Sequence, residues 1–224
     1  MLEVQSIYKR YQKKIVLENV SLTIGQGEIV GLVGENGAGK STLLQMLATL
    51  MKPDKGEIYW QGMAYHQQQK AIRQKIGFVP QDLAIWEHFS VEDNMRYFER
   101  LSWKRIGISA CQQICQDMQL TQWKEPVSSL SGGMKRKLNL AISLIHQPEL
   151  LLLDEPTVGI DMRSKQEIGR FLQQLARSQG TTIIYTSHDM NEIEQFTDRV
   201  LLIGKDRYYE EVLTAKGIQV DCLS

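Results

Sequence analysis

The sequence predicts an α/β fold built on a mainly parallel β-sheet with helices on both faces. Three apolar runs of strand length carry this prediction, because continuous hydrophobic and β-branched residues are typical of strands buried on both faces. They are Ile29–Val33, Leu150–Asp154 and Thr181–Ser187. Helical patterns such as Arg163–Ser178 alternate with them, and this alternation predicts parallel strands.

Shorter patterns predict the remaining strands and helices of the fold. Alternating apolar and polar residues predict a strand over Leu2–Tyr8, and other apolar runs are bounded by turn-forming residues. These further strands are Val20–Ile24, Glu57–Trp60, Lys75–Gln81 and Val200–Ile203, and a short helix over Asn191–Phe196 precedes the last of them. The polar stretch Tyr65–Lys70 is interpreted as a solvated loop or a short helix.

Between residues 82 and 147 the pattern changes from strand to helix. Apolar residues recur at helical spacing over Val91–Ser102 and Ile108–Gln119, with Ser90 and Ser109 placed as N-caps. Strand patterns return only after this interval. The sequence therefore predicts a small helical lobe inserted into the sheet-forming part of the chain.

Composition limits the functions that this chain can have. Lys plus Arg and Asp plus Glu both total 26, so a net charge of zero gives no general attraction to nucleic acid or anionic lipid. Cys111 and Cys115 have no second pair to complete a zinc site and are interpreted as small apolar residues on one helix face. The sequence has no signal-peptide pattern and no apolar run near membrane-spanning length, so we expect a cytoplasmic protein.

A glycine-rich loop between the strand Ile29–Val33 and a helical pattern fits G-x-x-x-x-G-K-[ST], and this context predicts a nucleoside triphosphate site. We call it the phosphate loop. Its residues are Gly34, Glu35, Asn36, Gly37, Ala38, Gly39, Lys40, Ser41 and Thr42. Backbone N–H groups and the helix N-terminus would bind phosphate, Lys40 would contact the β- and γ-phosphates, and Ser41 would ligate Mg²⁺.

Two acidic residues, Asp154 and Glu155, follow the apolar strand that begins at Leu150. The carboxyl ends of parallel strands form the edge where open α/β sheets bind ligands. Asp154 is therefore predicted to hold the hydrated Mg²⁺, and Glu155 to activate a water for attack on the γ-phosphate. A capped turn is the alternative interpretation of the two acids.

A second loop of phosphate-binding character, Ser131–Gly133, precedes a helical pattern that starts at Met134. We call it the Ser-Gly-Gly loop. The chain thus has two loops of phosphate-binding character, but only one of them carries a lysine, and there is only one acid pair. This difference in number predicts a symmetric dimer. In that dimer the Ser-Gly-Gly loop of one subunit would close over the nucleotide held by the other.

With these motifs in order, nearly the whole chain resembles the nucleotide-binding subunit of ATP-binding cassette (ABC) transporters. The phosphate loop matches Walker A, Gln81 the Q-loop, Leu130–Met134 the signature motif and Leu150–Asp154 Walker B, with Glu155 the catalytic glutamate. Val158–Asp161 is similar to the D-loop, and Ser187–Asp189 to the switch-histidine motif. Tyr11, which taken alone favours an ordinary strand-end tyrosine, lies where the family's adenine-stacking aromatic falls.

The resemblance implies a fold, a domain layout and roles for single residues. The fold is a P-loop NTPase with a RecA-like core, an N-terminal antiparallel β-subdomain and an inserted helical subdomain. Residues 1–81 and 148–224 would form the core and β-subdomain, and 82–147 the helical subdomain with the signature motif. His188 would hydrogen-bond the γ-phosphate, and Gln81 would ligate Mg²⁺ and link the core to the helical lobe, where a membrane partner docks.

Departures from the common motif indicate a subfamily. Met134 replaces the usual glutamine, and the form Met134–Leu138 looks like subunits paired with ABC-2 type export permeases. The run Lys135–Lys137 is interpreted as a solvated face in preference to a dedicated contact. Ile160 and Met162, where leucine and proline are common, are interpreted as tolerated.

The predicted function is an ATPase subunit that binds Mg-ATP and powers transport, in the direction of export, through a separately encoded membrane permease. Its partners would be a second copy or a paralogous cassette, in an ATP-dependent head-to-tail dimer, and the permease that holds it at the membrane; no nucleic acid is expected. The alternative is a soluble single-cassette ATPase such as a metal-cluster assembly subunit.

Overall fold

The computed structural model of this protein describes residues 1–204 and 207–223, which form two β-sheets and surrounding helices. The strands are β1 (Leu2–Tyr11), β2 (Lys14–Ile24), β3 (Ile29–Val33), β4 (Lys55–Trp60), β5 (Met63–Ala64), β6 (Ile76–Val79), β7 (Leu150–Leu153), β8 (Thr182–Thr186), β9 (Arg199–Ile203) and β10 (Val220–Leu223). The helices are α1 (Lys40–Leu47), α2 (Tyr65–Arg73), α3 (Val91–Leu101), α4 (Ile108–Asp117), α5 (Gly132–Ser143), α6 (Met162–Gln179), α7 (Met190–Phe196) and α8 (Arg207–Ala215). A 3₁₀ turn, Val127–Ser129, precedes α5.

The larger sheet is parallel and has the strand order β10-β9-β3-β8-β7-β6. Every residue of β3, β7 and β8 is buried, which agrees with their continuous apolar sequence. Hydrophobic clusters lie on both faces of this sheet. The α/β prediction is therefore confirmed.

The smaller sheet is antiparallel and has the order β2-β1-β4-β5. In β1 the side chains of Leu2, Val4 and Ile7 are buried, and they pack in the cluster that covers one face of the parallel sheet. The predicted start of β2 at Val20 was wrong, because the strand begins at Lys14. Its first half contains the apolar residues Ile15, Val16 and Leu17, but only Leu17 is buried, and the sequence analysis did not recognise this run as a strand.

Helices α3, α4 and α5, which follow β6 and precede β7 in the sequence, pack against one another. Ser90 caps α3 in a capping box with Asp93, as its position predicts. The N-cap prediction for Ser109 was wrong, because α4 already begins at Ile108 after Gly107. Cys111 and Cys115 are buried in the core of this unit, and burial raises the pKa of their thiols to about 11 and about 12.

Three further differences from the sequence predictions concern helix bounds and the last elements. The glutamine-rich stretch forms the helix α2, longer than the short helix considered for Tyr65–Lys70. Helix α5 begins at Gly132 and not at Met134, so both glycines of the Ser-Gly-Gly loop are helical. The sequence analysis did not predict α8 or β10.

Candidate functional site

The phosphate loop lies between β3 and α1, at the carboxyl end of the parallel sheet. Two of its positions require glycine. A Cβ atom on Gly34 would lie 2.1 Å from the carbonyl oxygen of Ile203 in β9. Gly39 has a φ of +112°, and a Cβ there would lie 2.8 Å from the side chain of Leu17. The loop therefore packs between β9 and β2 in a way that only glycine permits.

Lys40 is the first residue of α1, and its ammonium group lies inside the curve of the phosphate loop. Nζ donates hydrogen bonds to the carbonyl oxygens of Gly34 at 2.7 Å and Glu35 at 3.1 Å. The residue is only 7% exposed. Burial lowers the pKa of Lys40, and the nearby carboxylates of Glu155 and Asp154 oppose that shift. The loop thus concentrates positive charge where phosphate oxygens would enter.

The acid pair lies at the end of β7, and Thr186 of the adjacent strand β8 holds both residues. Thr186 Oγ1 lies 3.1 Å from Asp154 Oδ1, and the same oxygen accepts the backbone N–H of Glu155 at 2.8 Å. Asp154 is buried, and Glu155 has a φ of +48°, which is uncommon for a residue with a side chain. The sequence analysis missed Thr186. The available signal was a hydroxyl residue two positions before His188 at the end of a buried strand.

The carboxylate of Glu155 lies between two other predicted site residues. Its Oε1 is 2.8 Å from His188 Nε2, and its Oε2 accepts a hydrogen bond of 3.2 Å from Gln81 Nε2. Gln81, Glu155 and His188 follow β6, β7 and β8, which are adjacent in the sheet. Residues far apart in the sequence therefore meet because the three strands end at the same edge.

These groups face an open cleft of about 580 Å³. Its lining residues are Lys14, Val16, Asn36, Gly37, Gly39, Lys40, Ser41, Thr42, Gln81, Glu155 and His188. Lys14 and Val16 belong to β2 and were missed by the sequence analysis. The basic pair Lys13-Lys14 was the only signal, and it cannot show that β2 passes beside the phosphate loop. The cleft combines cationic, hydroxyl and carboxylate groups, as a phosphate-transfer site requires.

Tyr11 does not line this cleft. It lies at the end of β1, its ring is 43% exposed, and its hydroxyl donates to the sulfur of Met51 at 3.0 Å. The ring faces Lys9, whose ammonium nitrogen lies 5.9 Å from the ring centroid. Tyr11 is thus separate from the groups that would bind phosphate.

The Ser-Gly-Gly loop also lies outside the lining of this cleft. Ser131 caps α5 by accepting the N–H of Met134 at 3.3 Å, and both Ser131 and Gly132 are exposed. Gly133 is buried against the start of α6, where a Cβ would lie 2.2 Å from Ser164 Oγ. One chain therefore does not bring this loop onto its own phosphate loop.

The interpretation of Lys135–Lys137 as a solvated face was wrong. Arg136 donates to the backbone oxygen of Gln81, and Lys135 forms a 2.6 Å ion pair with Glu87. Lys137 is buried and paired with Glu167 of α6. Successive residues of α5 point in different directions, so this charge run connects three parts of the structure.

Together these features define the class of protein. A buried strand, a glycine-rich loop and a helix that starts with Lys40 and Ser41 form a phosphate-binding unit, and an acid pair lies two strands away at the same sheet edge. This arrangement is that of a P-loop nucleoside triphosphatase.

The family follows from comparison with known proteins. Residues 17–158 match the sequence model of the family described as ABC transporter. The chain belongs to this family as an ATP-binding cassette with ATPase activity. The linearmycin resistance ATP-binding protein LnrL of Bacillus subtilis (strain 168) is 37% identical over 208 residues, which cover 92% of this chain and 67% of LnrL.

Two further relatives are similarly close. The ABC transporter ATP-binding protein NatA of the same Bacillus strain is 36% identical over 211 residues, or 91% of this chain and 85% of NatA. The Nod factor export ATP-binding protein I of Rhizobium meliloti (strain 1021) is 38% identical over 207 residues, or 90% of this chain and 61% of that protein.

Solved structures support the same assignment. The dimeric structure of MJ0796, a bacterial ABC transporter cassette, has a TM-score of 0.81 and 26% identity, covering 91% of this chain and 94% of that one. A dimeric post-hydrolysis state of the same cassette, bound to ADP and Pi, has a TM-score of 0.77 with the same identity and coverage. The family assignment is confirmed by sequence and by structure.

Proposed function

We propose that this chain is the ATP-hydrolysing subunit of an exporter and that it drives a separately encoded membrane permease. The observation that carries the proposal is the position of Glu155, whose carboxylate lies between His188 and Gln81 at the mouth of the phosphate cleft. A carboxylate in this position can accept a proton from a water that attacks the γ-phosphate. Lys40 and the N–H groups of the phosphate loop would hold the phosphates.

Oxygen atoms in the cleft and on the buried Asp154, which precedes Glu155, fit Mg²⁺, which prefers oxygen ligands. Ser41 offers a hydroxyl, Gln81 an amide oxygen and Asp154 a carboxylate whose orientation Thr186 fixes. We propose these three as the magnesium ligands. When bound, the metal would neutralise charge on the β- and γ-phosphates. His188, whose Nε2 already faces Glu155, would contact the γ-phosphate.

We propose a head-to-tail dimer, since the Ser-Gly-Gly loop is exposed and separate from its own chain's cleft. Ser131 and the start of α5 would then bind the γ-phosphate held by a second copy or a paralogous cassette, because a helix N-terminus attracts anions. The similar cassette is dimeric in its solved structure, and this supports a dimer for the present chain. Tyr11 would stack on the adenine ring, which does not require it to line the phosphate cleft.

Residues 82–147 would form a helical subdomain that contacts the permease. Its surface carries an aromatic patch in which the ring centroids of Trp86 and Tyr97 lie 4.1 Å apart. The patch consists of Trp86, Phe89, Tyr97 and Phe98. Phe89 is 52% exposed, and exposed aromatic clusters are typical of protein interfaces. An apolar cytoplasmic segment of the permease would bind there.

Export is supported by those relatives that are named as resistance or export ATP-binding proteins, among them LnrL and the Nod factor export ATP-binding protein I. No helix in the described residues has the length and apolar character needed to span a bilayer. We propose that a membrane permease forms the transport path and that this chain acts at its cytoplasmic face. The cluster-assembly alternative has no comparable support among these relatives.

The hydrolysis proposal is tested by Glu155→Gln, which keeps the binding groups but removes the proton acceptor. We expect ATP turnover to be lost and a stable ATP-bound dimer to elute earlier in size-exclusion chromatography. Glu149→Gln is the matched control, because Glu149 lies at the other end of β7 and pairs with Lys75. Normal turnover in the Glu155 variant, or a monomer at saturating ATP, would contradict the proposal.

The export proposal needs a separate experiment on the membrane complex. The tagged chain is purified from native membranes, and the co-purifying proteins are identified. We expect a permease, and we expect Phe89→Asp to release it while ATP binding is retained. Recovery of a soluble scaffold protein in place of a permease would contradict export and favour the alternative.

A further inference from the structure

A buried carboxylate, Glu192, lies behind the catalytic cleft and not in its lining. It belongs to the first turn of α7 and is 4% exposed. Its Oε2 accepts hydrogen bonds from the hydroxyls of Thr157 at 2.6 Å, Ser187 at 3.0 Å and Tyr185. We call these four side chains the Glu192 network.

The negative charge of Glu192 is balanced from another helix. Lys165 Nζ in α6 lies 2.7 Å from the second oxygen of Glu192 and also bonds Asp189 at 3.1 Å. Burial, followed by the nearby Glu192, raises the pKa of the Tyr185 phenol well above its ordinary value, so this hydroxyl remains a donor. An isolated buried carboxylate would be costly, whereas this one accepts three hydroxyl hydrogen bonds and forms an ion pair with Lys165.

The Glu192 network joins the two segments that carry the catalytic pair. Thr157 lies two residues after Glu155, and Ser187 immediately precedes His188. Glu155 and His188 contact each other directly at 2.8 Å. In addition, Thr157 of the first segment and Ser187 of the second both donate a hydrogen bond to Oε2 of Glu192. The distance between the two catalytic side chains is thus determined in part by a group that touches neither.

We infer that Glu192 is a positioning residue for ATP hydrolysis. From behind the cleft it holds the segments of Glu155 and His188 in a fixed position relative to each other. The inference rests on the proposed roles of Glu155 and His188. Glu192 does not reach the phosphate loop, so its loss disturbs the hydrolytic geometry and leaves the groups that bind nucleotide in place. A misplacement of about 1 Å in a catalytic group lowers turnover on the order of 100-fold.

The test compares Glu192→Ala, Glu192→Gln and Glu194→Gln in the full-length chain. We expect the alanine variant to lower kcat by on the order of 100-fold, with KM and the Kd for ATP changed less than about threefold. Glutamine retains a hydrogen-bond acceptor for the hydroxyls and should recover part of that loss. Glu194 is on the same helix but exposed, paired with Lys216, and its variant should keep normal kcat.

Variants of Ser187, Tyr185 and Glu155 distinguish failure of this inference from failure of the proposed function. If Glu192→Ala does not fold, Ser187→Ala and Tyr185→Phe remove single donors, and we expect each to lower kcat without raising KM. If every Glu192 network variant keeps normal kcat while Glu155→Gln abolishes turnover, the inference is wrong and the proposed function stands. If Glu155→Gln also turns over ATP normally, the proposed function itself is wrong.

Discussion

Replacing Gly133 with alanine places a methyl group in the contact between α5 and the start of α6. The new Cβ would lie 2.2 Å from Ser164 Oγ, 2.6 Å from Ser164 Cβ and 3.2 Å from Asp161 Oδ2. Carbon atoms in ordinary contact are about 3.5–4.0 Å apart, so the two helices must separate by roughly 1 Å. Overpacking of this kind costs about 1–3 kcal/mol of unfolding free energy.

The neighbouring glycine provides a matched control. A Cβ on Gly132 would have no neighbour closer than 3.8 Å, although both residues lie in the first turn of α5. Alanine gains up to about 1 kcal/mol of helix propensity over glycine. Because both variants receive a similar gain, the difference between their unfolding free energies isolates the packing cost. Urea unfolding of the full-length chain, followed by tryptophan fluorescence, measures that difference.

A second substitution identifies the contact itself. Ser164→Gly removes both atoms that the new methyl group would approach most closely. We expect Ser164→Gly to destabilise the wild-type chain and to recover stability in the Gly133→Ala chain, with a coupling energy of about 1 kcal/mol or more. Equal stability of the Gly132→Ala and Gly133→Ala variants, or additive effects in the double variant, would refute the packing argument.

Three further predictions concern stability and nucleotide binding. Lys137→Met leaves the partly exposed Glu167 with Arg163 as its remaining partner and should cost about 1–3 kcal/mol in urea unfolding. The hydrogen bond from Lys137 lowers the pKa of Glu167 below its ordinary value of 4.5. The stability that Glu167 contributes is therefore fully present above pH 4.5 and is lost as the pH falls through the lowered pKa. The difference in unfolding free energy between the wild-type chain and Glu167→Gln should shrink over the same pH range. Lys40→Met should raise the Kd for ATP by roughly 10- to 100-fold in a fluorescence titration, because a charge-assisted hydrogen bond is lost.

Each of these predictions has an outcome that contradicts it. Full stability of Lys137→Met would mean that the ion pair between Lys137 and Glu167 contributes nothing. A stability difference for Glu167→Gln that grows in acid would reverse the expected sign. Unchanged ATP affinity in Lys40→Met, with the fold intact by circular dichroism, would remove the phosphate role of Lys40.

The central sheet could be predicted from the sequence because each of its inner strands is buried on both faces. A continuous apolar run such as Leu150–Leu153 is a strong local signal. The first half of β2 and the strand β10 are partly exposed. The first half of β2 is positioned by its pairing with β1, and β10 by its pairing with β9, which includes the ion pair of Arg199 with Asp221. No local pattern reports such a pair, and these elements were missed or shortened.

The candidate site likewise has one part that the sequence predicted and another part that it did not. The phosphate loop and the acid pair are contiguous stretches whose chemistry is visible in the sequence. Thr186, Lys14 and Glu192 are single polar residues that matter only because the fold brings them to the catalytic segments. Threonine, lysine and glutamate are common residues, so spacing in the sequence alone could not distinguish these three from surface residues.

The position of β6 at the rim of the parallel sheet determines how mechanical load would pass through the molecule. The described part of the sheet pairs β6 with β7 alone, and the long helical segment departs directly after β6 and returns directly before β7. A force applied to the helices would therefore reach the sheet along the chain at Gln81, which follows the edge strand, and at Pro148, which precedes the neighbouring strand. The ion pair between Lys137 and Glu167 would carry part of this force to α6.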